Sequence, residues 1–228
     1  MKRVPFLAAV FIGAVGLSSC ADFRHAPPTV ADNLVTHAAD TVERFKTLPQ
    51  MADFKGEIAT ANAIVVLPTV FKAGYFFGAE GGNGVLVVRG ADGVWSHPAF
   101  YTLGGASFGL QIGLQDTEIV LVLRSAKALN AILDHQAKLG ADAGITVGVV
   151  GMGIEASTTT ALGPDVLAFA NSILGLYGGA SLEGAVLVRR TDLNEAFYGP
   201  GAVPRAIVFE NKYQNPKAGP LRTALALP

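Results

Sequence analysis

The chain has 228 residues, of which half are apolar and 15% are charged, with a formal net charge of -1. That is enough apolar chain for one sizeable core, and its charge pattern excludes both a disordered polyelectrolyte and a basic nucleic-acid footprint. A single cysteine excludes an internal disulfide framework and a thiolate-rich metal site, so packing must hold the fold.

Lys2 and Arg3 make a positive start, Phe6 to Leu17 an apolar run, and Leu17-Ser18-Ser19-Cys20 a close in small residues. This order predicts a secretory signal peptide over residues 1–19. The apolar run is shorter than the roughly 20 residues that span a bilayer, which argues against an uncleaved anchor. The Leu-small-small-Cys ending resembles the processing site of bacterial lipoproteins, where the thiol is acylated and the peptidase cuts just before it. The resemblance implies a covalent N-terminal lipid anchor on Cys20. Ala21 stands where inner-membrane lipoproteins commonly carry aspartate, which implies the periplasmic face of the outer membrane. Losing Lys2 and Arg3 takes the side-chain charge from -1 to -3, so nucleic acid is not an expected partner.

Residues 20–31, with Pro27 and Pro28, read as a tether. Residues 32–210 then form the domain. Asp32 is placed to cap a helix running to about Lys46, with Leu34, Val35, Ala38, Val42 and Phe45 as its apolar stripe. A second helix is expected from Met51 to Ala61, and a buried strand from Ile64 to Leu67, ended by Pro68. Gly78, Gly81, Gly82 and Gly84 precede a strand at Val85 to Arg89, and Ala91-Asp92-Gly93 makes a turn. Strands follow at Ala99 to Leu103, at Gly109 to Gln115 (where apolar residues alternate) and at Ile119 to Leu123. Ser125 opens a helix whose apolar face is Leu129, Ile132, Leu133 and Leu139, with Gly140 as its stop.

Further strands are expected at Ile145 to Val150, Val166 to Ala170 and Tyr177 to Val188, and Asp192 caps a short helix through Phe197. Residues 211–228, rich in proline and glycine, read as a loosely ordered tail. The sum is an α+β fold: a glycine-rich, strongly curved antiparallel sheet or a small barrel, covered by helices.

Gly105-Ala106-Ser107-Phe108-Gly109 matches the G-x-S-x-G pattern, with Asp116 or Asp134 and then His135 following in triad order. The serine would have to sit on a strand-to-helix elbow, yet the residues after it alternate like a strand. A serine esterase is therefore the weakest alternative, and no catalytic residue is expected. The glycine clusters lack the lysine and hydroxyl residue of a phosphate loop, and none opens a dinucleotide site, so no cofactor is implied. His25, His37, His97 and His135 stand apart in sequence with no two-histidine spacing, and no metal site is expected. Asp142 and Glu183 sit among small and apolar residues, which suits a structural hydrogen-bonding role or a bound cation. Phe71-Lys72-Ala73-Gly74-Tyr75-Phe76-Phe77 is the candidate lipid-binding segment. Its aromatics either pack inward, or Phe71, Lys72, Tyr75, Phe76 and Phe77 form an edge entering a headgroup layer, with the lysine on lipid phosphate.

Three ordered segments resemble the SYLF domain family, also called the lipid-binding or actin-regulating family. They are Val66-Leu67-Pro68-Thr69-Val70-Phe71-Lys72-Ala73-Gly74-Tyr75; Trp95 to Tyr101 with Gly104-Gly105 and Gly109-Leu110-Gln111-Ile112-Gly113; and Gly175 to Gly184 with Ala196-Phe197-Tyr198-Gly199. The resemblance implies a non-enzymatic domain with membrane lipids as partners. Eukaryotic members are associated with phosphoinositides and actin. A periplasmic protein would meet neither, so actin is not carried over. The expectation is a lipoprotein acting at the bacterial cell envelope. The alternative is an envelope protein-interaction lipoprotein without lipid affinity of its own.

Overall fold

The computed structural model describes residues 26–74, 77–108, 113–134, 137–139, 147–150, 165–172, 182 and 184–227. Residues 1–19, Cys20, His25, Tyr75, Phe76, His135, Asp142 and Glu183 lie outside them.

Among the described residues eight strands form one sheet: β1 (Ala63–Gly74), β2 (Phe77–Val88), β3 (Ala99–Phe108), β4 (Gly113–Leu123), β5 (Ala137–Lys138), β6 (Val147–Val150), β7 (Val166–Ser172) and β8 (Val186–Arg189). Their spatial order is β5-β8-β3-β2-β1-β4-β7-β6. Every pair is antiparallel except β6–β7. Among the described residues the sheet ends at β5 and β6 and is not closed, and the small-barrel alternative falls away. The α+β expectation holds.

Helices cover both faces. Ile64, Val66, Val85, Val87, Val120 and Val122 pack with α1 (Pro27–Thr47), α2 (Phe54–Thr60), α4 (Thr191–Tyr198) and α6 (Gly219–Leu225). Their strand neighbours Val65, Leu67, Leu86 and Leu121 turn to the other face, against α3 (Ala126–Asp134) and α5 (Pro204–Val208). A strand buried on both faces reads as an unbroken apolar run, which is why Ile64 to Leu67 and Ile119 to Leu123 were legible as strands.

Several boundaries differ from expectation. Helix α1 starts five residues before Asp32, with Pro27 and Pro28 in its first turn. There a missing N–H loses nothing and the fixed φ suits a helix. Part of the expected tether is thus helical, and Asp32 lies inside α1, paired with Lys217. Helix α3 is described over Ala126–Asp134, where Ser125 Oγ accepts a hydrogen bond from the Ala128 N–H at 3.1 Å, and the chain is a strand again at Ala137. Leu139 is buried beyond β5 and so imitates a continuing helical face. In α4, Asp192 sits in the first turn without capping it. Its carboxylate takes hydrogen bonds from Arg190, which holds its pKa below the usual carboxylate range.

The last is the C-terminal stretch expected to be a loosely ordered tail. It forms a 3-10 turn at Pro216–Ala218 and then α6, whose Leu221, Ala224 and Leu225 are buried against α1. Spacings of three and four put these residues on one helical face. Trp95 Nε1 donates to the Leu225 carbonyl at 3.0 Å, and Lys46 Nζ bonds the Ala224 carbonyl. This stretch is part of the core.

Candidate functional site

The segment singled out from sequence lies where β1 leaves the helix-covered part of the sheet. Pro68 does not end β1 but lies within it. The register against β2 runs to Val66↔Val85 and resumes at Phe71↔Gly81; against β4 it runs to Leu67↔Ile119 and resumes at Val70↔Thr117. Such a bulge accommodates a residue that has no N–H for the ladder. The partner strand approaches the bulge closely: a Cβ at Gly82 would stand 2.2 Å from the Thr69 carbonyl oxygen, and one at Gly84 2.5 Å from that of Val66. Only glycine fits at these two positions.

The bulge also changes which residues share a face. Val65 and Leu67 pack on the α3 and α5 side, and Val70 joins them, so Phe71 falls on the α1 side. There Phe71 is 54% exposed, opposite Gly81 and Asp116. Beyond it the strands close on glycine, with Gly74 opposite Gly78 and Gly113, and Phe77 falls opposite Phe108. Lys72 stands in register with Glu80 and Gln115. Of the five proposed lipid-contacting residues, Phe71 is exposed, Lys72 and Phe77 are placed by register, and Tyr75 and Phe76 lie outside the described residues.

Two carboxylates that the sequence reading passed over shape this region. Glu80 is buried, and a Cβ at Gly105 would come within 3.2 Å of its Oε1, so the glycine leaves room for the acid. Glu118 fastens α1 to the sheet. Its Oε1 accepts from Thr41 Oγ1 at 2.9 Å and Arg44 Nε at 3.1 Å, and its Oε2 accepts from Asn171 Nδ2 at 2.9 Å. Charge-assisted bonds of this kind are the stronger ones in proteins. A polar residue just before the apolar run Ile119 to Leu123 was the only signal for it.

Other sequence candidates disperse. Ser107 lies within β3 opposite Gly78, not at a strand-to-helix turn, and Asp134 pairs with Arg205. Asp116 is exposed on β4. His37 is exposed, while His97 is buried, 6.5 Å from the Tyr198 ring, with Nδ1 accepting from the Asn215 N–H at 3.4 Å. Burial, and then the charge of Arg222, lower the His97 pKa. Among the described residues no cluster of three or more histidine, cysteine or acidic side chains is set to hold a metal, and no helix is long and apolar enough to cross a membrane.

These features define an α+β domain that, among its described residues, presents a surface at one end of an open sheet and no catalytic constellation. Residues 104–227 match the family described as Ysc84, Las17-binding protein actin regulator, and the chain belongs to that family, the one the SYLF resemblance pointed to. It is similar to protein YSC84 of Saccharomyces cerevisiae (33% identity over 155 residues, 67% of this chain and 33% of the relative). It is also similar to LAS seventeen-binding protein 3 of the same species (31% over 155 residues, 67% and 34%). SH3 domain-containing YSC84-like protein 1 of Homo sapiens is 33% identical over 142 residues, 62% of this chain and 41% of the relative. The chain thus spans roughly a third to two fifths of these relatives' length. The family's description is that of a Las17-binding actin regulator, and one of these relatives is named as a binding protein. The family match includes α6, in keeping with its place in the core.

Proposed function

We propose that this chain is a non-enzymatic, membrane-lipid-binding lipoprotein of the bacterial cell envelope. In this reading Cys20 carries the anchor and the glycine-rich end of the sheet meets the bilayer. The observation that carries it is Phe71, a large aromatic left more than half exposed beside a glycine-rich strand end. An aromatic in water gains by entering the interfacial layer of a membrane, where nearby lysine can meet phosphate. Lys72, Tyr75, Phe76 and Phe77 continue the same segment. The envelope address rests on the signal pattern ending in Cys20, with the periplasmic face of the outer membrane as its destination.

The test is vesicle flotation of a form lacking residues 1–20, which keeps every described residue. Flotation with anionic or zwitterionic vesicles, reduced by Phe71→Ser, is the expected result. No flotation on any headgroup would remove lipid affinity from the domain. It would favour the second reading, a protein-docking lipoprotein, which the family's description and the binding-protein name of one relative support. For the anchor, Cys20→Ala is expected to leave the signal uncut and the N-terminus free of acyl mass.

A further inference from the structure

At the opposite end of β2 from Phe77 lies a groove of about 460 Å³, between the C-terminal half of α6, the Gly93–Trp95 turn and α2. Ile58, Trp95 and Leu225 underlie it, Val94, Ala226 and Leu227 give its accessible apolar surface, and two guanidinium groups, Arg89 and Arg222, border it. The walls are rigid. Ile58, Trp95 and Leu225 are buried parts of the core, Trp95 Nε1 donates to the Leu225 carbonyl at 3.0 Å, and Arg222 Nε donates to the Trp95 carbonyl at 2.8 Å. Arg89 bonds the Ala59 carbonyl and lies over the turn, its Nη2 within 3.6 Å of where a Cβ on Gly93 would stand.

Each arginine thus commits one donor to a backbone carbonyl, and a guanidinium has five. Among the described residues neither is paired with a carboxylate. Val94, 52% exposed, forms an apolar rim. Two cations left without acidic partners beside a preformed apolar trough make a complementary pair of surfaces for an amphipathic anion. The volume suits a small molecule. The carbonyls of Ala59, Trp95 and Leu225 each already accept one hydrogen bond, which leaves an extended peptide fewer backbone acceptors along the wall.

We propose that this groove binds a small single-chain amphiphile with one anionic head, its carboxylate or phosphate held by Arg89 and Arg222 and its tail lying on the accessible apolar rim of Val94, Ala226 and Leu227, above the edge of Trp95. Recognition here is independent of the membrane-facing end of the sheet, and vesicle flotation does not report on it.

Trp95 is the only tryptophan in the chain and it lines the groove, so its fluorescence is a local probe. The experiment titrates the full chain with octanoate, octyl phosphate and octanol, each below its micellar concentration. Saturable changes are expected with one or both anions, and the comparison between them identifies the head. Octanol is expected to bind at least about tenfold more weakly, as are the anions to Arg89→Gln and Arg222→Gln, since each loses a charge-assisted contact. Val94→Glu sets a negative charge on the exposed rim. It is expected to weaken anion binding with an unchanged melting temperature, which separates loss of the site from loss of the fold. Equal affinity for octanol and octanoate, or anion affinity unaltered in both Arg222→Gln and Val94→Glu, would overturn the proposal. So would displacement of octanoate at lower concentration by a peptide with an apolar last residue and a free carboxylate, which would make the occupant a protein.

Discussion

The two ends of β1 are built by opposite rules. From Ala63 to Leu67 every residue is buried, and helices close both faces of the sheet. Past the bulge at Pro68 the flanking strands turn to glycine, and Phe71 stands in solvent. In the first half side chains fill the space between layers, so stability rests on volume. In the second the backbones approach so closely that a side chain is excluded at Gly82, so stability rests on what is missing. Removing atoms should therefore damage the first half and adding them the second, while the exposed aromatic should be indifferent to both.

The largest expected effect is in the covered half. Phe54 is fully buried on α2, with its ring 5.5 Å from Phe45 and 5.1 Å from Phe169 in edge-to-face contacts. Phe54→Ala leaves a cavity between helix and sheet and is expected to lower stability by about 3–5 kcal/mol. Urea denaturation measures this directly, and a loss under about 1 kcal/mol would show that the α1–α2 layer is not the packed unit described.

Next is the smallest possible addition at the other end. Gly82→Ala places a methyl 2.2 Å from the Thr69 carbonyl oxygen, where backbone and not a flexible side chain must move. The expected loss is about 1–3 kcal/mol. Gly104→Ala is the control, because no atom lies within 4 Å of its added Cβ. If the two substitutions are equivalent by thermal melting, strand propensity and not close approach explains the glycines.

The same contrast governs what could be read from the sequence. The stripe of α1 and the run Ile119 to Leu123 were legible because each is a local record of burial on one face or two. Pro68 was misread because a proline inside a strand depends on a bulge, and the bulge depends on glycines in β2 that are distant in the chain. Residues 211–228 were misread because Pro216, Gly219 and Pro220 outweighed the short apolar spacing of Leu221, Ala224 and Leu225, which acquires its meaning only against α1. At the candidate site, the aromatic and glycine content of 71–77 was visible, but the Thr41 to Glu118 contact joins residues 77 apart and has no local signature. The groove beside Trp95 escaped for the same reason: Arg89 follows β2 and Arg222 lies in α6, far apart in the chain.

A smaller effect tests burial in the covered half by pH. His97 has its pKa lowered by burial and by Arg222, so the unfolded chain takes up its proton first as pH falls. Its contribution is complete above the unfolded pKa of about 6.5 and is lost below that value, toward the lower folded pKa. One proton gives a slope of at most about 1.4 kcal/mol per pH unit in that window. Comparing urea midpoints near pH 7.5 and near pH 5.5 for wild type and His97→Gln isolates it; an unchanged difference would mean that His97 is not buried neutral.

Phe71→Ser is expected to have the smallest effect on stability, within about 0.5 kcal/mol, because the ring is 54% exposed and its strand neighbours Gly81 and Asp116 offer it little apolar surface. Phenylalanine in a strand is favoured where it packs, and an exposed ring on a glycine-flanked strand gains little from its own fold. If Phe71→Ser unfolds at the same urea concentration as wild type while Phe54→Ala does not, the chain keeps this aromatic in water for something other than folding. A loss above about 1.5 kcal/mol would place Phe71 in the core, and the glycine-rich end would then be a continuation of the packed sheet.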